Sequence, residues 1–429
     1  MSATDTYTIN PPSPPQIPDR TIPITDHGAV EGGKTLNTRA IAVAIEAAHA
    51  AGGGRVVVPD GIWLTGPIHF KDRIELHLEE GAELRFSQDP ENYLPVVIMQ
   101  RGGAWCYTYS PFIYGHECQD VALTGQGTLN GQGESWWPWK KNQPGMVRLR
   151  HMVADRTPVD KRVFGTVEDG VRPSFLQFLK SRRVLLEGVR FINSPSWTLH
   201  PVQCEDLTIR GVTVQNPSKA PNTDAIDPDA CRRVLIEHCH VDTGDDGICL
   251  KSGWNEDGWE AGIPCEDVLI RHCTVLAAHG GFVIGSDISG GIRNVHVHDC
   301  VFDGTNVGVR IKTKPGRGGF VQEVVAERLT MRKISRQAIL ITQWYQGNPH
   351  DTVEIDPSLP VTRISDVTVR DVTCEGAAEA ILLRGMPHEP FRRITLERLD
   401  ITAASGIHIE ATEDIRMEGV TVKATISLP

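Results

Sequence analysis

Apolar and polar residues alternate in short runs that recur along the second half of the chain. The segments VLLEGVRF, LTIRGVTV, VLIEHCHV, VLIRHCTV, VHVHDCVF, VVAERLTM, VTVRDVTC, ITLERLDI and IRMEGVTV start at Val184, Leu207, Val234, Val268, Val295, Val324, Val367, Ile394 and Ile415. Each has an apolar residue at its start and others two, five and seven positions on. Alternation with period two over so few residues is the pattern of half-buried strands, not of helices. Neighbouring starts lie 21 to 43 residues apart. A repeated strand pair of this length cannot bury its inner face alone, and stacking on the next copy buries it. The uneven spacing argues against a propeller. The step of five between the paired strand segments leaves room for a tight corner, so the pattern predicts an all-β chain wound as a parallel β-helix solenoid.

Two earlier stretches, RVVVPDGIWLTG and RIELHLEEGAELRF, read as the first coils. Ahead of them, Thr35 to Ala51 is Ala-rich, has apolar residues at helical spacing and ends in GGG. These signs predict a helix, placed where it would cap the open end of the solenoid and protect that edge from pairing with other chains. Residues 1–23, rich in proline, predict an extended or disordered tail, and residues 24–429 a single β-helical domain.

The stretch TGDDGICLKSG places Asp245 and Asp246 side by side at the mouth of a strand. By itself this reads as a solvated turn. Equal offsets in stacked coils, however, lie one rung apart, about 4.8 Å. Counted from Val234 and Val268, Asp245 and His279 share offset 11, and counted from Val295, Arg310 falls at offset 15. The coil from Leu207 carries an insertion, NPSKA, so its count breaks; matching Ile226 to Ile248 places Asp224 level with Asp246. Three carboxylates and a histidine then share one face with Arg310 and Lys312. Carboxylates so close cannot all ionise at their free pKa values. An acid beside a carboxylate is what protonating a leaving oxygen while activating water requires. Asp clusters also hold Ca²⁺, but histidine and arginine are poor company for a hard cation, and no metal or cofactor is called for.

NTD (Asn222 to Asp224), GDD (Gly244 to Asp246), HG (His279, Gly280) and RIK (Arg310 to Lys312) stand in the order and approximate spacing of the polygalacturonase family of glycoside hydrolases, which the chain resembles from about residue 24 to its end. GAVEGGKTLNTRAI and GTLNGQGESWW also resemble that family. The resemblance implies a right-handed β-helix that hydrolyses α-1,4-galacturonides with inversion. It implies Asp245 as general acid, Asp224 and Asp246 as holders of the attacking water, and His279 as tuner of the acid or substrate binder. It implies Asn222, Arg310 and Lys312 as substrate binders, the last two for a sugar carboxylate, and Tyr345 as a further binder. One rung is shorter than the ~6.5–9.5 Å of an inverting pair, so a lateral offset between Asp224 and Asp245 is expected to supply the rest. The alternatives in the same fold are a rhamnogalacturonan hydrolase, a Ca²⁺-dependent pectate lyase and a non-catalytic solenoid.

Composition narrows the setting. The net charge of −11 argues against nucleic acid or an anionic membrane as partner, and leaves a pectic oligosaccharide or polygalacturonate needing a local basic patch. No apolar stretch is long enough to span a bilayer. The first residues show no basic n-region or apolar h-region, and ten cysteines without a CxxC pair suit reduced, buried thiols. These features predict a cytoplasmic enzyme that meets oligomers and acts from a chain end. Long insertions after Glu134 and in the coil from Val324 would wall one end of the cleft. Cys239, Cys273 and Cys300 share one column and read as an inward thiol stack. Trp254, Trp259 and the aromatics of AWCYTYSPFIYG and ESWWPWKK fit either sugar stacking or cover for hydrophobic ends. GRGG at Gly316 to Gly319 lacks the strand, lysine and helix of a phosphate loop.

Overall fold

The computed structural model describes residues 9–345, 356 and 358–424. The nine segment starts face one another in unbroken parallel register, Val184 on Leu207, Leu207 on Val234, Val234 on Val268, and so to Ile394 on Ile415. Insertions change the length of coils but not this register, because a slip of one residue would turn every inward side chain outward. Val234, Ile236, Cys239 and Val241 are at most 2% exposed, as are their counterparts Val268, Ile270, Cys273 and Val275 one coil on. The chain is a right-handed parallel β-helix.

Sharp corners make the coils. The fifth residue of each segment, as in Gly188, Gly211, His238, His272 and Asp299, has φ between 50 and 78°. The residue just before each start, such as Asp206, Arg233 and Asp267, lies in the same left-handed region. Non-glycine residues there carry strain, and ion pairs between coils hold several of them: Arg233 Nε lies 2.8 Å from Asp206 Oδ1, and Arg398 Nε 2.6 Å from Asp371 Oδ1.

The coils stack into three columns of strands. Arg182–Glu187, Glu205–Arg210, Arg232–Glu237 and Cys265–Arg271 belong to the first, and Arg190–Ile192, Thr213–Gln215 and His240–Asp242 to the second. The third contains Leu176–Leu179, Asp246–Leu250, Gly280–Ile284 and Val309–Lys312, with bridges at Leu199 and Ile226 between them. This third column carries the chemistry.

Helix α1 (Thr38–Ala50) buries Ile41, Ala44, Ile45 and Ala48 against the first coils, as its apolar spacing predicts. Thr21–Pro23 pairs with Gly54–Val58, so the sheet begins inside the stretch expected to be a tail. Upstream of it the Ser13 and Gln16 amides donate to Asp206 and Asp120. All ten cysteines are free and buried. The Cys239, Cys273, Cys300 stack is present, and a second thiol column, Cys204, Cys231, Cys265, runs three residues before the starts.

Candidate active site

The third column sets the geometry. Ile226 bridges Ile248, and the Ala225 amide donates to the Asp246 carbonyl at 2.9 Å, so Asp224 and Asp246 are level. The His279 amide donates to the Asp245 carbonyl at 2.7 Å, and its ring Nδ1 lies 3.0 Å from Asp245 Oδ1. Asp245 Oδ1 also accepts the Asp246 amide at 2.9 Å, which closes the turn into the strand. The glycine after Asp246 is needed for space: a Cβ on Gly247 would lie 2.7 Å from Val275 and 2.9 Å from the Gly280 carbonyl oxygen. Each of Asp224, Asp245 and Asp246 offers an oxygen within 4.8 Å of one from the others. The lateral offset expected from the sequence therefore does not spread these oxygens beyond one rung.

All eight residues singled out in the sequence gather here. Arg310 Nη1 and Lys312 Nζ lie 3.2 and 2.5 Å from the two oxygens of Asp246. The pair thus first holds Asp246, rather than standing free for a sugar carboxylate. The Tyr345 ring centroid is 4.9 Å from Lys312 Nζ and 5.6 Å from the Arg310 guanidinium. Asn222 accepts from Arg172 at 2.8 Å and donates to Asp245 Oδ2 at 3.4 Å.

Environment separates the carboxylates. Burial, then the Asp245 charge, push the Asp224 carboxyl up to about 7. Burial acts upward on Asp246 too, but Lys312, Arg310 and Lys251 overcome it and hold that carboxyl well below the usual range. The bond to Asp245 raises the His279 imidazole. Asp245 is the most open of the three, its side chain 18% exposed against 5% for Asp224 and 1% for Asp246.

Several residues here carry no strong signal in the sequence. Lys251 Nζ is buried 3.3 Å from Asp224 Oδ2 and 3.4 Å from Asp227 Oδ1. Trp197 lies 4.3 Å beneath that ammonium. Register does point to Trp197: Leu199 bridges Ile226, so Trp197 is level with Asp224. Arg150, Lys314 and Arg317 line the same cavity, of about 270 Å³, but come from insertions and loops that no coil register reaches. Five cations, Arg310, Lys312, Lys251, Arg172 and the proton-binding His279, face the three carboxylates. A divalent ion would meet them rather than a free oxygen cage, so the cluster suits proton transfer. A larger cavity, about 460 Å³, opens near Trp105, Arg162 and Asp257, away from this chemistry.

Several of the other aromatics pack. Trp136 is buried against Tyr93, Phe112 and Trp139. The Arg150 and Arg317 guanidiniums lie 4.8 and 5.1 Å from the Trp254 ring, and Trp259 Nε1 donates to the Arg317 carbonyl. The rings that face the cavity are Trp197 and Tyr345.

A solenoid with clustered carboxylates on its third column is the arrangement of a glycoside hydrolase, and residues 161–424 match the model of the glycosyl hydrolases family 28. The chain belongs to that family. It is 33% identical over 394 residues to a probable polygalacturonase of Vitis vinifera, covering 89% of this chain and 74% of that one. It superposes with a TM-score of 0.90 on a hyperthermoactive exopolygalacturonase from Thermotoga maritima, at 37% identity and covering 96% and 94% of the two chains. The family 28 exopolygalacturonase of Yersinia enterocolitica, at 19% identity, shares the fold with a TM-score of 0.77, covering 95% and 78%.

Proposed function

We propose that this glycoside hydrolase cleaves α-1,4-galacturonosidic bonds of oligogalacturonides, releasing units from a chain end with inversion. The observation that carries the reading is the meeting of three carboxylates with Lys312 in one cavity, with Arg310 bonded to Asp246 beside them. In the proposed step, Asp224 and Asp246 hold a water and draw off its proton as its oxygen attacks the anomeric carbon. Asp245 protonates the glycosidic oxygen as the carbon–oxygen bond breaks. Asp245 suits that role because it is the most exposed, and among the described residues its Oδ2 has only the long contact to Asn222. Asp224 Oδ1 is buried without a partner among the described residues, which suits a water holder. His279 steadies the acid, while Asn222, Tyr345 and the remaining N–H groups of Arg310 and Lys312 bind the sugar. Two similar proteins are described as exopolygalacturonases, and the insertion after Glu134 supplies α2 (Pro144–Ala154), whose Arg150 walls the cavity. Both support action from a chain end. Part of the insertion in the coil from Val324 lies outside the described residues. Ten free, buried thiols support a reducing, cytoplasmic setting, which cell fractionation tests.

Spacing alone favours a second reading. Oxygens within 4.8 Å are nearer the ~5–5.5 Å of a retaining pair than the ~6.5–9.5 Å of an inverting one. A nucleophile must be free to reach the sugar, however, and Asp246 is bound on both oxygens while Asp224, held by Lys251 on Oδ2, keeps only its buried Oδ1 open among the described residues. Proton NMR and product separation of hexagalacturonate hydrolysis decide both points. Early β-galacturonate as monomer supports inversion at a chain end. An early α signal establishes retention, early products of every intermediate length rule out the end-acting mode, and cleavage only of rhamnogalacturonan shifts the substrate.

A further inference from the structure

Arg101 ends the strand Val97–Arg101, which forms a hairpin with Ala104–Thr108 in the part of the chain ahead of residue 161, outside the family match. The residue is only 5% exposed. Its Nε and Nη1 have no hydrogen-bond partner, and it joins no ion pair, among the described residues. The neighbouring Gln100 is fixed: its amide donates to Gln177 Oε1 at 3.1 Å while its carbonyl accepts from Gln177 Nε2 at 2.9 Å. The Arg101 guanidinium instead lies 5.7 Å from the centroid of Trp197, a wall of the catalytic cavity.

Its electrostatic surroundings are one-sided. Asp224 is the strongest negative charge acting on it, while burial drives its pKa down to about 10. Arg172 is pushed to about 9 by burial and by Arg101 itself. Lys140 is lowered by burial, Arg101, Arg172 and Arg150, and raised by Asp245. Four cations that repel one another thus border the carboxylates. Arg172 is tied to the Pro195 and Pro221 carbonyls and to Asn222, whereas Arg101 has no such anchor. A buried cation without an anion is a burden on the free protein, and groups kept in that state are typical of sites that meet a ligand.

We propose that Arg101, flanked by Lys140, Arg150 and Arg172, receives a second carboxylate of the substrate, on the sugar across the scissile bond from the one read by Arg310 and Lys312. This inference rests on the galacturonide reading above. It means that the enzyme requires a uronic acid on both sides of the bond, and that the segment before residue 161 supplies half of that selection. Guanidinium–carboxylate pairing is charge-assisted and directional.

The test uses digalacturonate and its two analogues in which one or the other carboxyl is reduced to an alcohol. Arg101→Met should lower kcat/KM on digalacturonate by about 10- to 100-fold, the scale of a lost charge-assisted bond. It should do no further harm on one analogue, where wild type and variant become equal, while Arg310→Ala, which also loosens Asp246, should lose less on the other analogue than on digalacturonate. Thermal unfolding separates binding from structure. Removing an uncompensated buried charge should leave the melting temperature of Arg101→Met equal to or above that of the wild type, and galacturonate should stabilise the variant less. If the variant discriminates both analogues as the wild type does, or melts lower and responds normally to galacturonate, Arg101 is structural and the proposal falls. A wild type inactive on every galacturonide would instead defeat the proposed function.

Discussion

Asp224→Asn should abolish turnover and yet gain stability relative to the wild type as pH rises. Asp224 is buried, its Oδ1 lacks a partner among the described residues, and Asp245 and Asp246 face it against Lys251 and Lys312. Its carboxyl titrates at about 7 in the folded protein against a reference of 3.8. Between those values the native state keeps a proton that the unfolded chain has released. Stability therefore falls with rising pH, by about 1.4 kcal/mol per unit for one proton. Below pH 4 both states are protonated and no penalty exists; above about 7 it is complete. Over the roughly three units between, it reaches about 4 kcal/mol. Asparagine has no proton to lose, so the stability of the variant minus that of the wild type should widen by up to that amount from pH 4 to pH 8. Asp227, raised by burial and in part by Asp224, should relax in the same direction, and Lys251 keeps Asp227 as its partner. Urea unfolding of both proteins at several pH values across this window measures the gap. A gap that stays constant, or narrows as pH rises, refutes the electrostatic account of the cluster.

Asp245→Asn keeps shape but loses the transferable proton, so turnover should drop by about 10²–10⁴-fold or more with an unchanged circular dichroism spectrum; near-normal turnover on galacturonides would remove Asp245 from the acid role. Lys312→Met takes away the ammonium 2.5 Å from Asp246, so the Asp246 carboxyl should rise. Activity that needs it ionised would then fail at higher pH than in the wild type, seen as an upward shift of the acid limb of kcat against pH; an unmoved limb would show that Lys312 does not hold the charge.

Much of this molecule is legible in one dimension because a solenoid repeats its physics. An inward residue at offsets zero, two, five and seven must be apolar in every coil, so the register of Val234, Val268 and Val295 can be counted along the chain. The same count brings His279 to Asp245, and the Ile226 to Ile248 match brings Asp224 level with Asp246. Counting does not show which groups bind one another. Arg310 and Lys312 read as free receptors for a sugar carboxylate, yet in three dimensions both grip Asp246, because alternate side chains of one strand reach the same carboxylate across two rungs. Lys251 follows the strand Asp246–Leu250 and bridges Asp229 in the same register, but register alone does not show that its ammonium turns in to be buried between Asp224 and Asp227.

The sequence by itself determined the coil, its register and the carboxylate cluster, since these follow from short-range periodicity and stacking of like on like. The tertiary structure alone decided the electrostatics: which carboxyl burial raises, which one cations hold ionised, and the arrival of Arg101, Lys140 and Arg150 beside the site. Those three ride on segments without a repeat. Their position is set by the packing of a hairpin, the helical turn Trp137–Lys141 and α2 onto the solenoid, and contacts between residues far apart in the chain leave no period to read.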